Sequence, residues 1–280
     1  MIESICVVGA GTMGSGIAQV AAQSGFTTLL FDINNEVLQQ AKSNIKKSLQ
    51  WLVEKEKISA GKSHTIFQQI QFINNISDCA ADVFIEAIVE NIAAKVHIFN
   101  QLAAINNKET IFASNTSSLS LSAIQQSIVH PERVVGMHFF NPAQIMKLVE
   151  VVKGKQTSDA TAKSIYTLCQ QLNKTPVLCK DAPGFIVNRV ARHYYLEAMK
   201  MVELGIATYE NIDAIMEATG FKMGPFKLMD LIGMDINLAV SQSLYDAFDK
   251  EERFKPSAIQ IDKVANRELG KKTGKGFYQY

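Results

Sequence analysis

The apolar run Val134-Val135-Gly136-Met137 ends at His138 and is followed by Phe139-Phe140-Asn141-Pro142, and Glu150 lies a little further on in a second apolar run. An imidazole takes up a proton near neutral pH, so such a base with a carboxylate nearby suits removal of a proton from an alcohol while hydride leaves its carbon. The lead into His138 reads as a buried strand. The ring then falls where a strand ends, the edge at which open α/β sheets collect their ligands. A histidine by itself is as often a packed or surface residue, and a carboxylate at a strand end needs no chemistry to explain it. The surrounding elements must decide.

At the amino end, Ile2 to Val8 is a short apolar run, and Gly9-Ala10-Gly11-Thr12-Met13-Gly14 opens a helical pattern through Ile17, Ala18, Val20 and Ala21. This is strand, tight turn, helix. The first glycine permits the turn, the second lets backbone approach a pyrophosphate, and the third allows close helix-to-strand packing, with the amino end of the helix facing the negative charge. Gly9, Gly11, Thr12, Met13 and Gly14 are therefore candidate cofactor-binding residues. A second apolar run, Thr27 to Phe31, ends at Asp32, at roughly the twenty-residue spacing of a ribose-binding carboxylate. An acid there accepts hydrogen bonds from ribose hydroxyls and repels a 2′-phosphate, which favours NAD over NADP.

Strand-like runs alternate with helical ones through the first two-thirds of the chain. After Asp32 a lysine-rich helical pattern covers about 35–57, with Trp51 and Leu52 on one face, and 58–63 turns with a glycine; this arm (about 35–63) should project from the sheet. Further strands are expected at 70–73, 83–86, 111–114, 134–139, 148–152 and 177–179, with a polar turn, Asn115-Thr116-Ser117-Ser118, after the third of these. The ordering predicts an α/β protein with a Rossmann-type doubly wound, mostly parallel sheet. The texture changes at Asp181-Ala182-Pro183-Gly184. Beyond it only helical patterns occur, at 186–203, 209–218, 236–248 and 256–266, so residues 1–183 are expected to form the NAD-binding domain and 184–280 a second, all-helical domain. A bundle that small has little core of its own, which predicts a homodimer built through it for substrate binding and subunit contact. The closing Gly270-Lys271-Lys272-Thr273-Gly274-Lys275-Gly276-Phe277 should fold back as an ordered tail.

With 28 Lys plus Arg against 27 Asp plus Glu in 280 residues, no overall field recruits nucleic acid or an anionic membrane. The chain opens on a strand rather than a signal sequence, and no apolar run approaches the ~20 residues of a membrane span, so a cytoplasmic protein is expected. Cys6, Cys79, Cys169 and Cys179 are scattered without metal-site spacing, and read as packed thiols with no metal.

Taken together, the glycine turn with Asp32, Ile88-Val89-Glu90-Asn91 with Lys95, Ser114-Asn115-Thr116-Ser117-Ser118, His138-Phe139-Phe140-Asn141-Pro142, Met146-Lys147-Leu148-Val149-Glu150-Val151, Pro183-Gly184-Phe185-Ile186-Val187-Asn188-Arg189 and Met223-Gly224-Pro225-Phe226 resemble the L-3-hydroxyacyl-CoA dehydrogenases, in particular the short 3-hydroxybutyryl-CoA type. The blocks come in the right order over nearly the whole chain. The resemblance implies that His138 takes the proton of the 3-hydroxyl, that Glu150 orients its ring, that Ser117 hydrogen-bonds the substrate oxygen, and that Asn188 helps polarise the 3-oxo group. It extends the NAD contacts to Glu90, Lys95, Ser117, Asn141 and Lys272, although Lys271 and Lys275 lie close to the last. It places acyl-CoA contacts at Ser48 and Lys55, on an arm where Lys46, Lys47 and Lys57 read equally as a solvated face. Lys222 and Lys227 stand where a proline and an acid or neutral residue are expected. Two other readings compete: oxidation of a free hydroxy acid such as a sugar acid by the same constellation, and a non-catalytic NAD-sensing role. Ser48 and Lys55 lean toward CoA, and a sensor needs the glycine turn but not the base.

Overall fold

The computed structural model describes residues 2–280. The chain forms two compact units, one ending at Ala182 and the other running Pro183–Tyr280. The first is built on eight strands: β1 (Ser4–Val8), β2 (Thr27–Phe31), β3 (Ile70–Ile73), β4 (Val83–Glu86), β5 (Ile111–Ser114), β6 (Val134–Phe139), β7 (Leu148–Lys153) and β8 (Thr175–Lys180), in the order β3-β2-β1-β4-β5-β6-β7-β8. From β3 to β6 all pairings are parallel; β7 runs antiparallel to β6 and β8 parallel to β7. The run β3-β2-β1-β4-β5-β6 is the doubly wound order in which the chain reverses direction across the sheet between β1 and β4, opening a crevice there.

Strand periodicity assigns residues to the two faces. Ile5, Val7, Val83, Ile85, Ala113, Val135 and Met137 enter one core, with side chains of α1 (Thr12–Gln23), α2 (Asn35–Glu54) and α3 (Ala60–Gln68). Their alternates Cys6, Val8, Phe84, Phe112 and Val134 enter the other, against α4 (Ile92–Ile105) and α5 (Leu121–Gln125). The last helix of this unit, α6 (Asp159–Gln171), adds Ile165, Leu168 and Cys169 to the first core. All four cysteines are free thiols.

The segment after Asp32 departs from the single projecting helix expected from its pattern. It is two helices, with Lys55 capping the end of α2 and the Ser59 side chain accepting from the Lys62 amide at the start of α3. Leu38, Ala41, Ile45 and Leu49 recur every three or four residues and are buried together with Ile66 of α3 in the core that covers β1. Burial of each such Leu or Ile contributes about 1.5–3 kcal/mol, which anchors the pair to the sheet. Trp51 is 52% exposed while Leu52 packs on the core, so the two do not share a face.

The second unit consists of α7 (Val187–Glu203), α8 (Tyr209–Ala218), α9 (Pro225–Ile232), α10 (Met234–Ala247) and α11 (Ala258–Ala265). Helix α9 has no counterpart in the sequence reading. Its N-cap is Gly224, which has no capping side chain. The cap comes instead from the fully buried Asp213 on α8, whose Oδ1 and Oδ2 accept from the amides of Phe226 and Lys227 at 2.8 and 2.9 Å. A start signal supplied by a neighbouring helix leaves no local mark. Asp230 does the same for the tail. Its carboxylate accepts from the amides of Phe277 and Tyr278, both at 2.9 Å, and from the Tyr280 hydroxyl at 3.1 Å, so the closing segment does fold back. Lys227, one of the departures from the family pattern, pairs with Glu217 at 2.9 Å. No helix among the described residues is long and apolar enough to cross a membrane, and no group of three metal-ligating side chains was found among them.

Candidate active site

Because β1, β2, β4, β5 and β6 are parallel, the glycine turn after Val8, Asp32 after Phe31, Glu86, Ser114 and His138 all stand at the carboxyl edge of one sheet. The three glycines of the turn meet different surroundings. Gly9 has φ +98°, and a Cβ there would sit 2.8 Å from the Ala87 carbonyl oxygen. A Cβ on Gly14 would come 1.7 Å from the Gly9 carbonyl oxygen, so α1 packs against the turn at a distance only glycine allows. Around Gly11, by contrast, a Cβ would meet nothing within 4 Å. Gly11 is the N-cap of α1 without a capping side chain, and no acid lies in the first turn. The positive end of the helix thus faces open space, the arrangement that receives a pyrophosphate. Thr12 is exposed and Met13 half-buried beside it. Asp32 braces the turn, Oδ2 accepting from the Ala10 amide and Oδ1 from the Asn34 amide, both at 2.9 Å. The chain therefore fits a dinucleotide.

These surroundings separate two substitutions. Gly14→Ala drives a methyl group into backbone and is expected to cost about 1–3 kcal/mol of stability or more and to abolish measurable NAD binding. Gly11→Ala is expected to leave the melting temperature unchanged and weaken NAD alone, because the space it fills is empty without ligand. Thermal melts with titration calorimetry check both, and unaltered NAD affinity in Gly11→Ala would remove the pyrophosphate from this position.

His138 and Glu150 are brought together by strand register. They are direct partners across the antiparallel β6–β7 pair, and His138 Nδ1 lies 2.7 Å from Glu150 Oε2. Both are buried, at 5% and 1% exposure. Alternation sends Met137, Phe139, Val149 and Val151 into the core beneath, which leaves His138 and Glu150 on the opposite face. A carboxylate at Nδ1 holds the proton on that nitrogen and leaves Nε2 as the basic one. The ring lies against Phe140, centroids 4.5 Å apart. The Phe139 amide is fixed by Asn115 Oδ1 at 2.8 Å.

A second constellation fills the same edge. Glu90 Oε1 accepts from the Thr116 hydroxyl at 2.5 Å and from the amides of Ser117 and Ser118 at 3.0 and 3.2 Å. Its other oxygen lies 3.2 Å from Lys95 Nζ. Burial raises the Glu90 carboxyl pKa, but the Lys95 charge and these hydrogen bonds outweigh it and hold the group below the usual range. Lys95 is 1% exposed and also pairs with the fully buried Glu86 at 2.6 Å.

The remaining candidates lie on other elements. Asn141 is exposed just beyond β6, ahead of a cis peptide bond to Pro142. Ser48 is half-buried on α2, and Lys55 is exposed at its end; seven residues correspond to about two helical turns, so they share a face. In the helical unit, Asn188 sits in the first turn of α7 and Lys272 is ion-paired to Asp235. Sequence reasoning missed Glu86, Ser114 and Asn115 as contributors. The one available signal was a lone acid closing the apolar run Val83-Phe84-Ile85, which has to find a buried partner.

A doubly wound sheet with this strand order, an uncapped glycine turn and an acid after β2 defines an NAD-binding oxidoreductase. The chain belongs to the 3-hydroxyacyl-CoA dehydrogenase family: residues 4–182 match the model of its NAD binding domain and residues 184–280 that of its C-terminal domain. Its cofactor is NAD. It is 44% identical, over its whole length, to a 3-hydroxyadipyl-CoA dehydrogenase of Escherichia coli K12, of which it spans only 59%. It is 40% identical over its whole length to a probable 3-hydroxybutyryl-CoA dehydrogenase of Bacillus subtilis, covering 98% of that protein. Among solved structures, an (S)-3-hydroxybutyryl-CoA dehydrogenase from Ralstonia eutropha superposes with a TM-score of 0.95 at 38% identity, covering 100% of this chain and 99% of the other.

Proposed function

We propose that this chain interconverts (S)-3-hydroxyacyl-CoA and 3-oxoacyl-CoA with NAD, acting on short acyl chains such as 3-hydroxybutyryl-CoA. The observation that carries the reading is the 2.7 Å contact between His138 Nδ1 and Glu150 Oε2 at the sheet edge that also holds the glycine turn. NAD, when bound, supplies the hydride acceptor or donor at its nicotinamide ring. His138 Nε2 takes the proton from the 3-hydroxyl in the oxidising direction and returns it in the reducing one. Glu150 keeps the ring in that tautomer and stabilises the imidazolium as it forms. Ser117 hydrogen-bonds the substrate oxygen, and Asn188 contributes an amide that polarises the 3-oxo group. Gly9, Gly11, Thr12, Met13 and Gly14 cradle the pyrophosphate and Asp32 the adenosine ribose, with Glu90, Lys95, Asn141 and Lys272 completing the cofactor set. Ser48 and Lys55 hold the CoA moiety, the ammonium against phosphate.

Residues 184–280 serve substrate binding and assembly into a homodimer in the cytoplasm; exposed Leu204, Ile206, Ile215, Phe221 and Ile261 in this unit support an apolar subunit contact. Relatives named for 3-hydroxybutyryl-CoA that match this chain nearly end to end support the short acyl length.

Steady-state assays with acetoacetyl-CoA, longer 3-oxoacyl-CoA thioesters and free acetoacetate, each with NADH and NADPH, test the proposal. Acetoacetyl-CoA with NADH is expected to give the highest kcat/KM, with the free acid lower by about 100-fold or more, because binding energy from the CoA moiety is used at the reacting carbon. Comparable rates for the free acid would replace the thioester by a hydroxy acid, and preference for a long acyl chain would overturn the chain-length assignment.

A further inference from the structure

In the sheet-bearing unit, Lys174 is a buried cation to which the proposed reaction gives no part. It is 8% exposed and stands just ahead of β8. Its Nζ donates to the carbonyl oxygens of Ala143 and Met146 at 2.5 and 2.9 Å, both in the connection 140–147 that carries the chain from His138 on β6 to Glu150 on β7. Lysine is seldom buried this far without an opposite charge. The charged and titratable groups that act on Lys174 are Lys147 of the same connection and the buried Cys169 thiol of α6, and neither is a carboxylate. A cation just past a helix ordinarily answers the carbonyls of its last turn. Here backbone closes α6, the Leu172 amide donating to the Leu168 carbonyl and the Lys174 amide to that of Cys169, and the Lys174 side chain reaches away to the connection instead.

The other side of the connection rests on α1. Ala143 is buried in the core that α1 shares, Gln144 Nε2 lies 3.5 Å from Gln19 Oε1, and a Cβ on Gly16 would come 3.0 Å from Gln144 Oε1 and 3.2 Å from Ala143 Cβ. The amides of Ile145 and Met146 both donate to the Pro142 carbonyl at 3.0 Å, which closes a turn. The Ile145 and Met146 side chains are 69% and 39% exposed. Packing therefore holds this turn from the α1 side, and the Lys174 ammonium supplies the second hold.

We propose that Lys174 is a positioning residue: by gripping the Ala143 and Met146 carbonyls it seats the 142–146 turn on α1, and so sets Asn141 and the His138 end of β6 against the helix that receives the dinucleotide. The inference rests on the roles proposed above for His138 and Asn141. Burial, with the Lys147 charge adding to it, lowers the Lys174 ammonium to about 8. The Cys169 thiol is pushed up to about 12 by burial and stays neutral meanwhile. As pH rises through about 8 the ammonium becomes an amine, whose hydrogen bonds to the two carbonyls are weaker. The grip then loosens.

The test uses Lys174→Met, which keeps the length of the side chain and removes every donor. Amide hydrogen exchange at Ile145 and Met146, read without cofactor or substrate, is expected to speed up about tenfold or more. Turnover is expected to fall about 10- to 100-fold, the loss that follows misplacement of a reacting group by an ångström. In the unaltered chain, exchange at the same two amides, corrected for its intrinsic pH dependence, should speed up about fivefold as pH rises through about 8, and Lys174→Met should lack that step. The second measurement needs no variant to fold. Unchanged exchange at Ile145 and Met146 in Lys174→Met, or no step near pH 8 in the unaltered chain, would overturn the proposal and leave Lys174 a structural residue. An undiminished kcat with the turn loosened would also overturn it, since the turn would then position nothing that the reaction uses. Exchange is read without substrate, so it reports on the grip even if no CoA thioester is turned over, the result that would instead defeat the dehydrogenase reading.

Discussion

With His138 replaced by alanine, kcat is expected to fall by about 10²–10⁴-fold, the range over which a positioned general base contributes, while NAD binding stays intact. The cofactor cradle is made by backbone after β1 and by Asp32, on elements other than the strand that carries His138. The alanine variant also removes the imidazole that lies 2.7 Å from the Glu150 carboxylate, which is 1% exposed. Losing a hydrogen bond to a charged group costs about 1.5–3 kcal/mol, so this variant should melt earlier, and lost turnover alone could then be laid to partial unfolding. His138→Gln separates the two effects. Its amide N–H can still meet the carboxylate, so stability should recover while turnover does not, since an amide cannot take up a proton at neutral pH. Pre-steady-state and steady-state rates with thermal melts and NAD titration provide the check. A wild-type rate in either variant would remove His138 from the chemistry.

Glu150→Gln is the second large effect, and it works through one proton. A carboxylate can only accept, which fixes the proton of neutral His138 on Nδ1 and leaves Nε2 basic. A glutamine amide can donate to Nδ1 instead, which moves the ring proton to Nε2 and turns the base into a donor. Loss of the charge also withdraws support from the imidazolium. Turnover is expected to drop about 10²–10⁴-fold with the side chain volume, and so the packing against β8, almost unchanged. Measurement of kcat at saturating substrate, with NAD affinity and melting temperature alongside, decides the point: an undiminished kcat would mean that Glu150 is only a strand residue satisfied by a nearby imidazole.

The central strands β1, β4, β5 and β6 were legible because each carries a short apolar run between turn residues, and burial on both faces of a parallel sheet demands such runs. The glycine turn was legible because backbone geometry and close approach tolerate no other residue at Gly9 and Gly14. What failed depended on partners distant in sequence. Helix α9 begins at a glycine and is capped from α8 by Asp213. The arm reads as an insertion that should project from the sheet, whereas the stripe of Leu38, Ala41, Ile45 and Leu49 on α2 is buried in the main core. Glu86 read as the polar end of a strand, and only the folded chain brings Lys95 down onto it.

The order of strands, the choice of NAD and the presence of an imidazole and an acid at strand ends follow from the sequence alone, since local sterics, strand periodicity and charge on Asp32 act over a few residues. That His138 and Glu150 touch was settled by tertiary structure, through the register of one antiparallel strand in a parallel sheet; a shift of a single residue would turn either side chain to the opposite face. The same holds for the ring of contacts from Glu86 through Lys95 and Glu90 to the turn at Ser117. Hydrogen bonds and ion pairs depend on distance and direction to within a fraction of an ångström, and only the packed sheet and helices fix those for residues far apart in the chain.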